Sequence, residues 1–169
     1  MGTGHYIKRL IGAVFPAMLL MRGNSRAPRI ALTFDDGPHP VHTLQILDAL
    51  DRAGAHATFF LQGSLAAQYP QLAQAIHARG HLIGNHGYAH QAPTALGNAA
   101  YVEDALRTQK LLQTIVGVEL PKLFRPPYGS ITPGVFLRLV RHRFRFIFWT
   151  YDSRDSFIRD SSSLKKYVE

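Results

Sequence analysis

Four polar groupings in this sequence carry residue types that could do chemistry. Asp35 and Asp36 stand side by side where the apolar run Ala31-Leu32-Thr33-Phe34 stops, and Gly37-Pro38 follows them. His86 and His90 come after HLIGN, Arg125-Pro126-Pro127-Tyr128-Gly129 after KLF, and Asp152 and Asp155 after FIFW. Two carboxylates and two imidazoles on one face point to a divalent cation. One carboxylate with two neutral histidine nitrogens is a common donor set that keeps a coordination position open for water. The other carboxylate is then free to take a proton from that water. A cation that neutralises one of two adjacent acids lets them do different jobs.

Each grouping also has a plainer explanation. An Asp-Asp pair commonly serves a turn or a helix start. In a chain with nine histidines a His-x-x-x-His spacing arises readily by chance. Arg-Pro-Pro-Tyr-Gly can be a rigid turn, and the DSRD stretch at 152–155 a solvated loop. Their placement carries the weight: each follows directly on an apolar, strand-like run.

Those runs alternate with helical patterns. RIALTF (29–34), ATFFL (57–61), HLIGN (81–85), KLF (122–124) and FRFIFW (144–149) read as strands. Between them Thr43–Ala53, Pro70–Arg79, Ala99–Val116 and Pro133–His142 read as helices, the first three closed by Gly54, Gly80 and Gly117. Ser161 is read as the cap of a short final helix, SSLKKYVE. Strand and helix alternating in this way predict a parallel sheet or barrel. In such folds the C-terminal strand ends share one face, so the four groupings converge there.

At 169 residues, 46% hydrophobic and 18% charged, the chain suits one globular domain and excludes a disordered one. Cysteine is absent, which rules out disulfides and thiolate metal sites and leaves the compartment undecided. The net charge of +8 favours anionic partners, but the basic residues are spread over 22–29, 138–145 and 154–166 without an RNA-binding aromatic motif, so no specific nucleic acid is expected. Residues 1–27 are read as an apolar N-terminal extension and 28–169 as the domain. Leu10 to Met21 is too short to span a bilayer. Within residues 5–21 a helix packed on the domain or lying at a membrane surface is weighed against an uncleaved export signal.

Thr33-Phe34-Asp35-Asp36-Gly37-Pro38, Gly84 to His90, Arg125 to Gly129 and Trp149 to Asp155, in that order, resemble the motifs of the polysaccharide deacetylase family (carbohydrate esterase family 4, the NodB-homology domain). The likeness runs from about Arg29 to the C-terminus, and Thr43 and the ATFF strand are similar to family features. The resemblance implies a distorted (β/α) barrel. It also implies a hydrolase that removes acetyl groups from N-acetylglucosamine polymers such as peptidoglycan or chitin, or from O-acetylated xylan. By the same resemblance Asp36, His86 and His90 would bind the metal, usually zinc, with cobalt or nickel as alternatives. Asp35 would be the general base, held by Arg125, and the Tyr128 N–H would help stabilise the oxyanion. Pro127, Tyr128 and Trp149 would meet the acetylated glycan, and Asp155 would orient a histidine acid.

That histidine belongs to a fifth motif, Leu-x-His, which this sequence lacks: its last residues, Tyr167-Val168-Glu169, fall in the helix that should precede it. The expected fold is therefore an incomplete barrel lacking the last strand, with an exposed edge. The alternative function is a catalytically impaired fragment, or a glycan-binding pseudoenzyme that keeps the metal site. Gly87 also replaces the usual Ser or Thr, removing a loop-steadying hydroxyl, and Ser156 replaces a common Trp.

Overall fold

A computed structural model describes residues 18–20, 30–153, 160 and 162 of the chain. Six strands form one parallel sheet: β1 (Leu19–Leu20), β2 (Leu32–Gly37), β3 (Ala57–Leu61), β4 (Leu82–Asn85), β5 (Leu123–Phe124) and β6 (Arg145–Ile147). Their order across the sheet is β1-β6-β5-β4-β3-β2. Among the described residues β1 and β2 are its two edges and do not pair with each other, so the barrel is incomplete. The connecting helices are α1 (His42–Ala53), α2 (Gly63–Gln68), α3 (Pro70–Ala78), α4 (Pro93–Leu96), α5 (Asn98–Val116) and α6 (Pro133–Arg141). A 3-10 turn spans Pro127–Gly129.

The helices form where apolar spacing gives them a face to bury. In α1, Leu47 and Leu50 point into the core, and Gly54 ends the helix in the left-handed conformation. α5 buries Val102, Ala105 and Leu112 on one face, with Leu106 half-buried beside them. α6 opens on Thr132, whose hydroxyl accepts the Val135 N–H, with Pro133 in its first turn. Two apolar clusters result. One gathers Phe124, Phe136, Phe144 and Phe146 with Leu19, Tyr101 and Val135. The other joins Leu47, Leu50, Phe59, Leu61, Ile76, Ile83 and Leu112.

Three expectations change. Leu19 and Leu20, read within an apolar helix, are a strand beside β6, with the Phe146 N–H donating to the Met18 carbonyl and the Phe148 N–H to that of Leu20. Leu19 is buried against the phenylalanine cluster, because an open β6 edge offers both backbone partners and apolar cover. Second, β2 does not stop at Phe34 but runs through both acids to Gly37. Third, the short helices α2 and α4 occupy stretches that carry no long periodic pattern. The helix read from Ser161 onward lies, apart from Ser162, outside the described residues, as do Asp155, Ser156 and residues 5–17. Among the described residues no helix is long and apolar enough to cross a membrane.

Candidate active site

The two acids occupy an irregular piece of strand. β2 pairs in register with β3 from Leu32 to Phe34, and the register then shifts before Gly37 pairs with Leu61. Such a bulge re-aims side chains that would otherwise alternate between faces. Asp36 takes a left-handed φ of 64° within it. The outcome is that both neighbouring carboxylates serve one site, Asp36 on the histidines and Asp35 on Arg125.

Asp36 meets the histidines. Its Oδ1 lies 3.1 Å from Nε2 of His90 and 3.6 Å from Nε2 of His86, and accepts the Gln62 side-chain N–H at 2.8 Å. One ligand atom from each of Asp36, His86 and His90 falls within 4.8 Å of the other two, close enough to share one ion. The tautomer of His86 supports that use. Its Nδ1 lies 2.7 Å from the Arg125 carbonyl oxygen, which can only accept, so Nδ1 carries the proton and Nε2 offers a lone pair. Burial pushes the His86 pKa below its ordinary value, outweighing the pull of Asp35, and keeps the ring neutral. Two neutral imidazoles and a carboxylate are the donors a catalytic zinc ion takes. The residues fit the metal.

Asp35 turns to Arg125. The guanidinium, 3% exposed, donates to Asp35 Oδ1 at 2.7 Å and to the Thr33 hydroxyl at 2.8 Å. Its Nε donates to the Ile147 carbonyl at 3.2 Å, and its plane lies over Phe60, 4.2 Å from the ring centroid. A planar fork of donors suits this site, where a point charge would leave oxygens unpaired.

The third motif forms the 3-10 turn, with Pro127 buried and Tyr128 projecting, 71% exposed, at a φ of 57°. The Tyr128 ring meets His90 edge-on at 4.7 Å between centroids. Trp149 stands beside Arg125, 5.5 Å from ring centroid to guanidinium carbon, and is 40% exposed. Asp35, Asp36, His86, His90, Arg125, Tyr128 and Trp149 thus gather in one neighbourhood. Two participants were not expected. Gln62 directly follows a strand, so the strand-end rule that found the others also reaches it. Thr33 is two residues before Asp35 and shares its strand face, a period-two relation.

A family model described as polysaccharide deacetylase matches residues 22–147, and the chain belongs to that family. It is 36% identical over 126 residues to a peptidoglycan-N-acetylglucosamine deacetylase of Bacillus cereus, covering 75% of this chain and 46% of that protein. It is 32% identical over 134 residues to a chitooligosaccharide deacetylase of Sinorhizobium fredii, covering 79% and 62%. The solved structure of the Bc1960 peptidoglycan N-acetylglucosamine deacetylase superposes with a TM-score of 0.85 at 30% identity, over 92% of this chain and 72% of that one. The chain spans about half the length of the first curated relatives it matches.

Proposed function

We propose that this chain carries the metal-binding and base residues of a metal-dependent deacetylase that hydrolyses N-acetyl groups on N-acetylglucosamine polymers of the peptidoglycan or chitin type. The observation that carries this reading is the division of labour between adjacent acids. Asp36 stands with two histidines around one ion-sized space, while Asp35 is tied to a buried arginine. Asp36, His86 and His90 would hold the ion, zinc by their chemistry, with cobalt or nickel as substitutes.

When bound, such an ion makes water a usable nucleophile near neutral pH and polarises the acetyl carbonyl. Asp35 takes the proton from the attacking water. Arg125 keeps that carboxylate aimed, donating to its Oδ1 at 2.7 Å from a buried guanidinium. The backbone N–H of Tyr128 is assigned to the carbonyl oxygen as it becomes negative. The exposed rings of Tyr128 and Trp149 offer apolar faces to a sugar, while Pro127 is buried. The leaving nitrogen needs a proton as its bond to carbon breaks. The resemblance gives that task to a histidine oriented by Asp155, which lies outside the described residues.

Acetate release from chitooligosaccharide and from peptidoglycan by the zinc-loaded protein tests the proposal. Release that disappears on chelation supports it. Zinc binding without acetate from these glycans or from O-acetyl xylan would reject the enzyme and leave a glycan-binding role.

A further inference from the structure

We propose that Asp104 is a positioning residue that sets the spacing of His86 and His90 from outside the site, a role that rests on these histidines holding the metal. Tyr88 lies midway between them, and its backbone N–H donates to Asp104 Oδ2 at 2.7 Å. One turn of α5 supplies two further grips on the same loop. The Arg107 guanidinium carbon stacks 3.5 Å from the centroid of the Tyr88 ring, and the Ala105 carbonyl accepts the Asn85 side-chain N–H at 2.7 Å. Asn85 in turn accepts the Gly87 N–H at 2.9 Å. From the other side, the Gly87 and Tyr88 carbonyls accept the N–H groups of Gly63 and Ser64.

The glycine at 87 makes sense against this clamp. Its φ is +76°, and a Cβ there would sit 3.2 Å from Asp104 Oδ2 and 3.7 Å from Pro127. The carboxylate already fills the space where a side-chain hydroxyl at 87 would steady the loop. Asp104 supplies that steadying function from a helix instead. The loop needs it, since His90 ends the segment at a left-handed φ of 52°, a conformation that persists only where its surroundings hold it. Partners that orient metal ligands typically change metal affinity about 10–100-fold when lost.

The test is zinc affinity by competition with a chromophoric chelator, on the wild-type chain and two variants. Asp104→Ala is expected to weaken zinc binding by about tenfold or more. Asp104→Asn, which keeps an oxygen for the Tyr88 N–H, is expected to restore it to within about threefold, on the same reasoning. The cobalt-loaded Asp104→Ala protein should also show an altered visible spectrum, which a merely structural loss would not produce. Wild-type affinity in Asp104→Ala overturns the proposal, and so do equal losses in both variants, since charge rather than the Tyr88 acceptor would then matter. Should Asp104→Ala fail to fold, hydrogen exchange of the Tyr88 amide in the wild type decides: strong protection supports the clamp, and exchange at the free-chain rate refutes it. A wild-type chain that binds no zinc overturns the metal reading itself, a separate result.

Discussion

Asp35 and Asp36 differ by one position, yet their surroundings give each a different task. Asp36→Ala and His86→Ala each remove a donor from a set of three, so zinc retained through dialysis should fall from one ion per chain to none, by elemental analysis. Asp35→Asn keeps the shape beside Arg125 and removes the base. It should retain zinc while turnover drops by about 100-fold or more. Loss of metal in that variant would mean that the two acids' roles are exchanged. Arg125→Met leaves Asp35, the Thr33 hydroxyl and the Ile147 carbonyl without their shared donor. Breaking a buried pair costs about 3–5 kcal/mol, and access of Asp35 to water lowers this to about 2 kcal/mol, readable in urea midpoints. The acids, histidines and arginine were legible because a polar cluster after an apolar strand run is a local signal. Asp104 was not, since a carboxylate within an amphipathic helix reads as solvated surface until the loop it grips is seen.

Among the elements, strands β3 and β4 and helices α1, α3, α5 and α6 follow their apolar periodicity to within a residue or two. β1 does not, because a pair of leucines has no period and its partner β6 is far away in sequence. The structure gives that pair weight in the core. Leu19→Ala should cost about 2–3 kcal/mol in chemical unfolding, as for other buried leucines, and a loss below 0.5 kcal/mol would mean that β1 is not docked. The start of β4 has a pH dependence of its own. His81 is buried beside His56 and Phe59, with its Nδ1 accepting the Ala57 N–H and its Nε2 lacking a partner among the described residues. Burial foremost, and then His56, depress its pKa below 6.5. The unfolded chain therefore takes up a proton that the folded one resists. Stability is full above about pH 6.5 and falls as the pH drops below it. Burial of His86 acts in the same direction. Urea midpoints of the metal-free protein should decline from pH 7 to pH 5, and His81→Leu should flatten part of that slope.

For the molecule as a whole, the sheet brings its chemistry to one end because every strand runs the same way. The parallel alternation was readable from the sequence, and with it the convergence of the first three groupings, while Asp155 of the fourth lies outside the described residues. The bulge in β2 was not, since the pairing shift depends on how β3 lies alongside. β2 is also an edge strand among the described residues, with Leu32 exposed, so the acids sit on a part of the sheet held from one side only. A ligand joining β2 to the His86–His90 loop should stiffen the fold. Zinc at about 100 times its dissociation constant adds about 2.7 kcal/mol if it binds only the folded chain. For a domain of this size that corresponds to a rise of roughly 5–10 °C in Tm, reversed by chelator. An unchanged Tm with zinc bound would show that the ion binds the unfolded chain as well as the folded one.

The most direct measurement is anomalous diffraction at the zinc edge from crystals of the zinc-loaded protein. One peak is expected about 2.0–2.2 Å from a carboxylate oxygen of Asp36 and from Nε2 of both His86 and His90, with Asp35 on Arg125 and off the ion. A peak coordinated by Asp35, or none among these side chains, contradicts it.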